Sequence, residues 1–331
     1  MPRLKKGAVR KRVYKNRGIY RPKTPTEEVL AADPDSIWAY HQRFTRWQEE
    51  RNYSWHTIEG RERTLRSFAV WAAERGVVRP QDVTKPILER WQRYLFLHRK
   101  ADGQPLSVRS QISFTNPLIA FFRWLARENY ILYNPASDLV LPRIGRRLPH
   151  TILTASEAER VMSAANVNTP NGLRDRAMLE TLYSTGVRRQ ELIELKRYDL
   201  DPQRGVIMVR DGKGKKDRMI PIGARALAWV DKYLEDVRPD YASGADDGTL
   251  FLTIMGTPFK PGRLAEIVRA AIDQAGIGKR GACHLFRHTM ATLMLENGAD
   301  IRFIQAILGH SELSTTEIYT QVSIKQLKAV H

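Results

Sequence analysis

The sequence predicts a mainly α protein with one small β-sheet. Three observations lead there. Apolar residues recur at three- and four-residue spacing through most of the 331-residue chain, the period of a helix with one buried face. Capping residues such as Ser54, Ser107 and Thr154 stand immediately ahead of those runs. Two-residue alternation is confined to Val206–Arg210 and Arg218–Ile222, on either side of the Gly-punctuated turn DGKGKKD. A chain of this length accommodates two domains of ordinary size.

The first 23 residues hold ten Lys or Arg and no acid, and residues 1–25 read as a basic flexible arm ending in RPKTP. Four helical segments are expected next. Asp35 caps one to about Arg51, with Ile37, Trp38, Tyr40, His41, Phe44 and Trp47 toward one side. Ser54 caps a second to about Arg75, in which Ile58, Leu65, Phe68, Ala69 and Trp71 recur at helical spacing. Thr84 opens a third, with Pro86 in the first turn, where a missing N–H is harmless. Ser107 opens a fourth through about Glu128, in which Pro117 either bends the helix or marks its true start. Six of the seven Trp lie here, and most of them suit the core of a small helical bundle. Arg43, Arg46, Arg61, Arg63, Arg66, Arg109 and Arg123 fill the remaining positions. Such a face either is merely solvated or grips DNA, and the basic arm favours DNA.

Three prolines and the basic knot Arg143–Arg147 mark a linker at 131–152. The expected organisation is an arm at 1–25, a helical DNA-binding domain at 26–130, the linker, and a second domain at 153–331. In that domain Thr154 and Glu157 fit a capping box. Helices are expected at Asn171–Ser184, Gln190–Leu195, Ala224–Val237 and Gly262–Ala275, with the hairpin between the second and third. Pro221 suits an edge strand, and Leu250–Leu252 a short strand. Asp300 caps a helix that Gly309 stops, and Ser314 and Glu317 fit another capping box.

Charge narrows the partner. The formal net charge is +18, and residues 1–150 carry 29 Lys and Arg against 14 Asp and Glu, a net of +15, whereas the remainder is near balance at +3. A polyanion is the expected partner, because Lys and Arg on phosphates release condensed counterions. The arm is broken by Gly7, Gly18 and Pro22 and does not read as a membrane-surface helix. No apolar run approaches the ~20 residues of a membrane span. The N-terminal charges are followed by no apolar segment of the secretory kind. The lone Cys283 permits no internal disulfide, and a cytoplasmic, nucleoid-associated location is expected.

The residues suited to chemistry cluster late in the chain. In YSTGVRRQEL, Arg188 follows a glycine break, and a guanidinium there offers a planar fork to two phosphate oxygens. Arg189 is chemically equal, so spacing does not choose between them, and Glu191 can orient either. Lys213, Lys215 and Lys216 sit at the hairpin tip, either as a solvated turn or reaching a nucleic-acid groove. His284 and Arg287 share a helix face, as do His284 and His288. The zinc-protease pattern is absent, since Leu285 and Phe286 follow His284, and no metal is expected. His310 follows the Gly309 stop, and Tyr319 lies just inside the last helix, where an isolated Tyr is usually structural.

Together these residues supply every role in a phosphodiester transesterification. On this reading Arg188 and Arg287 hold the non-bridging oxygens of a pentavalent transition state and Tyr319 attacks phosphorus. His284 helps to remove the tyrosine proton, Lys213 protonates the departing 5′ oxygen, and His310 hydrogen-bonds the phosphate. Neither metal nor ATP is needed, because arginines take the charge and the phosphotyrosyl bond keeps the bond energy.

The motifs that carry these residues resemble those of the tyrosine recombinases of the phage-integrase type, most closely the Xer-type and the transposon or integrative-element members. Thr185-Gly-Val-Arg188-Arg-Gln-Glu191-Leu is similar to the family's T-G-[LV]-R-x-x-E-L, which selects Arg188 over Arg189. Gly212-Lys213-Gly-Lys-Lys-Asp-Arg218 is similar to G-K-G-x-K-x-R, which selects Lys213. His284-Leu-Phe-Arg287-His288, Leu308-Gly-His310 and Tyr319-Thr-Gln-Val match the remaining motifs, with Phe286 where Leu is commoner.

The resemblance covers nearly the whole chain. It implies an N-terminal helical core-binding (SAM-like) domain, a linker and an α+β catalytic domain. It further implies strand exchange on double-stranded DNA carrying specific recombination sites, through a 3′-phosphotyrosyl intermediate and a Holliday junction. Four subunits would act on two duplexes, as a homo-tetramer or a hetero-tetramer with a related recombinase. Glu191 and His288 take supporting roles, and no cofactor is implied. Two other functions fit parts of the pattern: a type IB topoisomerase-like enzyme that relaxes DNA as a monomer, and a catalytically silent DNA-binding regulator. The complete set of catalytic positions argues against the second.

Overall fold

The computed structural model describes residues 24–145, 152–210, 217–242, 246–310 and Thr316. The chain divides into two compact units between Gly145 and Arg146.

The first unit is helical: α1 (Thr24–Ala32), α2 (Ile37–Glu50), α3 (Trp55–Ala73), α4 (Lys85–Leu97) and α5 (Val108–Arg127). Ser54 and Ser107 cap α3 and α5 through their side chains, as expected. Helix α1 begins inside the stretch expected as an arm, and it changes the next cap. The buried hydroxyl of Ser36, rather than Asp35, caps α2 by accepting from Ala39 N at 3.1 Å, while donating to Leu30 O at the end of α1. Only tertiary packing of α1 on α2 makes that double role available. Pro117 neither ends nor starts α5, which runs unbroken past it. An interior proline costs roughly 3 kcal/mol, and the burial of Leu118, Phe121, Phe122, Trp124 and Leu125 around it outweighs that cost.

Trp38, Trp71, Trp91 and Trp124 lie in this core, as expected of most of the six; Trp55 is exposed. Ile131, Ala136 and Leu139 also pack into it, so the first part of the stretch expected as a linker belongs to the bundle. His41 is buried with them. Burial is the main cause that lowers its imidazole pKa to about 4, with the nearby Arg66 cation adding to it against the bond to Trp38 O.

The second unit comprises α6 (Ala155–Ser163), α7 (Pro170–Thr185), α8 (Arg189–Glu194), β1 (Leu200–Asp201), β2 (Val206–Val209), β3 (Arg218–Pro221), α9 (Ala224–Asp236), α10 (Arg238–Tyr241), α11 (Pro261–Gln274), α12 (Cys283–Glu296) and α13 (Ile301–Leu308). The sheet is an antiparallel meander in the order β1-β2-β3, with Ile207 opposite Ile220 and both buried. Pro221 lies in β3, an edge strand, where its missing N–H interrupts no ladder. Leu250–Leu252 forms no strand: isolated bridges join Lys196 to Thr249 and Leu252 to Pro258. The segment is instead held by buried side chains, with Arg238 donating to Thr249 O and Leu250 O and Tyr233 Oη accepting from Leu252 N.

The capping box of α6 is formed as expected, with Thr154 Oγ1 accepting from Glu157 N and Glu157 accepting from Thr154 N. Leu153 N donates to Thr289 Oγ1 on α12, which fixes the start of α6 against that helix. No helix among the described residues is long and apolar enough to cross a membrane.

Candidate active site

Two glycine-capped helix ends bring several of the expected residues together. Helix α7 ends at Gly186, which adopts φ +59° as a left-handed cap. That left-handed conformation favours glycine, and a Cβ there would stand 2.1 Å from Cε of Met290 on α12, the movable end of its side chain. The chain turns directly into α8, with Arg188 as its N-cap and Glu191 in its first turn. Helix α13 ends in the same manner at Gly309, φ +61°, and His310 follows.

Arg188 donates to Glu191 Oε1 at 2.8 Å and to Gly309 O at 3.1 Å, while its backbone N–H donates to Glu191 Oε2 at 2.7 Å. Arg287 reaches across from α12. It donates to Gly186 O at 2.8 Å, to Leu308 O at 2.6 Å and to His310 Nε2 at 3.1 Å. A guanidinium has only donors, so Nε2 of His310 is the acceptor in that bond. The ring proton therefore sits on Nδ1, which donates to Thr316 Oγ1 at 2.8 Å. The structure thus brings Arg188, Glu191, Arg287 and His310 into one cluster.

A third arginine enters the cluster from the sheet. Arg218, the first residue of β3, donates to Glu191 Oε1 at 3.0 Å and Oε2 at 2.7 Å, and its Nε donates to Ile307 O at 2.9 Å. Its position within a sequence motif was visible; its partners were not. Three successive carbonyls at the end of α13 each accept from a different arginine: Ile307 from Arg218, Leu308 from Arg287 and Gly309 from Arg188. The partial negative charge of a helix C-terminus favours cations there.

Burial works against ionising Glu191. Arg218 and the Arg188 amide and guanidinium outweigh it, and hold its pKa down at about 2. The arginines and the ionised carboxylate leave the cluster with excess positive charge.

His284 stands on the first turn of α12 with its side chain exposed. Partial enclosure, then the Arg287, Arg189 and Arg188 cations, lower its pKa below the ordinary imidazole value. His288, one turn on and half-buried, is lowered by burial and by His284 and Arg287. Cys283 is buried, and burial pushes its thiol up to about 11, which leaves it protonated and unreactive. Lys213, Lys215, Lys216 and Tyr319 lie outside the described residues. Among the described residues no group of three His, Cys, Asp or Glu side chains is placed to hold a metal ion.

The arginines of the first unit fall into two groups. Arg43 donates to Pro34 O and lies over Tyr40, Arg61 donates to Gln48 Oε1, and Arg66 is half-buried over Trp38. Arg46, Arg63, Arg109 and Arg123 are exposed and extend into solvent.

Comparison with known proteins places these features. The model described as "Phage integrase family" matches residues 151–326. The chain is 53% identical to Tyrosine recombinase XerC 2 of Ralstonia nicotianae, over 84% of this chain and 80% of that protein. It is 36% identical to Tyrosine recombinase XerD of Chlorobaculum tepidum, over 85% of this chain and 91% of that protein. The fold is similar to the XerH site-specific recombinase bound to difH substrate, with a TM-score of 0.66 and 22% identity over 86% of this chain and 84% of that one. It is also similar to the Tn1549 transposon integrase in complex with a circular intermediate DNA, with a TM-score of 0.68 and 20% identity over 86% and 94%.

Proposed function

This chain belongs to the phage integrase family, and we propose that the arginine cluster around the end of α13 is its strand-transfer centre. The protein is a tyrosine-type site-specific DNA recombinase. The observation that supports this site is the convergence of Arg188, Arg287 and His310 on one small region with excess positive charge. A phosphodiester carries one negative charge, and its transition state develops more on the non-bridging oxygens. Preorganised guanidinium groups stabilise that charge without reorganising during the reaction.

In the proposed first step the Tyr319 oxygen forms a bond to phosphorus and the bond from phosphorus to the 5′ oxygen breaks. The tyrosine proton passes to His284, whose lowered pKa keeps it neutral and able to accept near pH 7. Lys213 gives a proton to the departing 5′ oxygen. The product is a 3′-phosphotyrosyl link and a free 5′ hydroxyl. The second step reverses these transfers with a 5′ hydroxyl from another strand. An entering phosphate oxygen replaces His310 as acceptor for Arg287, and His310 then donates from Nε2 after its ring proton moves there.

Two DNA duplexes and four subunits, identical or paired with a related recombinase, are the proposed assembly. The exposed Arg46, Arg63, Arg109 and Arg123 are the proposed phosphate contacts of the first unit, with Lys215 and Lys216 adding to them from the hairpin turn. Integration, excision and resolution are all served by this one exchange.

The test uses a library of singly nicked duplexes with a randomised core. A nick beside the scissile phosphate lets the short 5′-hydroxyl fragment diffuse away and traps the covalent product. Denaturing capture in EDTA should recover protein–DNA adducts from the intact chain and none from Tyr319→Phe, which should still bind the selected duplex. Adducts from Tyr319→Phe would place the nucleophile elsewhere. Relaxation of plasmids of unrelated sequence with no joined recombinant product would overturn the recombinase reading.

A further inference from the structure

We propose that Arg218 is a positioning residue for the phosphate clamp, setting the geometry of Arg188 through Glu191 and the end of α13. The proposal rests on the recombinase reading above.

Arg188 has two internal acceptors, Glu191 Oε1 and Gly309 O. Both stand near helix ends. Glu191 sits in the first turn of a six-residue helix, and Gly309 stands one residue past an eight-residue helix. Arg218 ties both down. Two of its nitrogens grip both oxygens of Glu191, and its Nε holds Ile307 O, two residues before Gly309. A Cβ on Gly309 would stand 3.1 Å from Cδ, Nε and Cζ of Arg218, so the bare glycine backbone lies directly against the guanidinium.

All three Arg218 nitrogens are thus engaged within the protein, and its side chain is 11% exposed, half the 22% of Arg188. Arg188 is thus the more exposed of the two, and on the proposed reading it is the one that meets the phosphate. Because the planar fork of Arg218 fixes a carboxylate and a carbonyl together, it restrains the fork of Arg188 in two directions at once. Lysine keeps the charge but is a point donor and cannot reproduce both restraints.

An ion pair that served only to neutralise buried Glu191 would look similar in outline, so the test must separate stability from clamp geometry. Single-turnover cleavage is measured on a nicked duplex that the unaltered chain traps, in two forms. One has the ordinary phosphodiester. The other has a methylphosphonate, in which a methyl group replaces a non-bridging oxygen and removes the charge that Arg188 neutralises. Arg188→Ala is the reference, and its loss should be much smaller on the neutral substrate.

Arg218→Lys is expected to bind DNA as the unaltered chain does and to cleave the phosphodiester on the order of 10²-fold more slowly, the loss expected of a displaced catalytic group. That loss should shrink by about tenfold on the methylphosphonate, in parallel with Arg188→Ala. Equal losses on both substrates, or unchanged cleavage, overturn the proposal. If Arg218→Lys fails to fold, the double variant Arg218→Met with Glu191→Gln removes both buried ions together and is read by the same ratio, with equal losses again counting against the proposal. Absence of any adduct from the unaltered chain defeats the recombinase reading itself, whereas an active unaltered chain with an equally active Arg218→Lys defeats this inference alone.

Discussion

Gly186 shows how much a single position carries in this molecule. It ends α7 in a left-handed conformation, lets Met290 approach, and presents its carbonyl to Arg287. Gly186→Ala adds a left-handed penalty of roughly 1–2 kcal/mol and a collision with Met290 Cε. The expected result is a lower melting temperature together with a loss of cleavage that exceeds any loss of DNA binding. Normal cleavage by Gly186→Ala would show that this turn accepts a side chain without disturbing Arg287. His284 makes a second prediction at one position. Its pKa lies below 6.5, so the neutral base persists as pH falls through that value. The acid limb of the single-turnover cleavage rate should therefore lie below pH 6.5, and a limb at or above it would contradict the assigned role.

Whole elements depended more on neighbours than single motifs did. The caps Ser54, Ser107, Thr154 and Asp300 were readable because a cap and its helix are adjacent in the chain. The cap of α2 was misplaced by one residue because Ser36 also answers to Leu30 at the end of an unanticipated helix. Pro117 was read as a bend or a start, and the helix runs from Val108 through it, so it is not the start. The segment Leu250–Leu252 has strand-like composition, but its backbone bonds go to the Arg238, Arg174 and Tyr233 side chains and to Leu195 O, all outside any sheet. At α6 the local reading holds in full, and Lys279 Nζ adds a donor to Glu157. Thr154→Ala should cost about 1 kcal/mol of stability in the second unit, measured by denaturant unfolding. A change within error would mean that Lys279 and Thr289 hold the start of the helix without the cap.

The two units also differ in how acid should unfold them. His41 is buried with a pKa of about 4 in the folded chain against 6.5 unfolded, so the unfolded state takes up the proton first as pH falls. Its contribution is fully present above pH 6.5 and is lost as pH falls to about 4, on the order of 3 kcal/mol in all. Glu191 works in a lower window. Its stabilisation is present above 4.5 and is lost as pH falls toward about 2. Acid should therefore unfold the first unit before the second. Tryptophan emission reports mainly on the first unit, since Trp229 alone lies in the second, and should change ahead of the far-UV helical signal. A single coincident transition would refute this order, and His41→Leu should move the upper transition to lower pH.

Charge asymmetry, helix periodicity and the motifs around Arg188, Lys213, Arg287, His310 and Tyr319 were all legible in the linear chain, because each depends on residue type at short spacing. What the chain could not display is the set of partners that gathers Arg188, Arg287 and His310 into one cluster. Arg188 meets Gly309 across 121 positions, and Arg287 meets Gly186 across 101. The acceptors are backbone carbonyls, which every residue possesses and no residue type announces. Arg218 stands at its place in a motif like any surface arginine until folding sets Glu191 and the end of α13 around it. Short-range chemistry specifies which groups are present, and long-range packing of α8, β3, α12 and α13 specifies which of them meet.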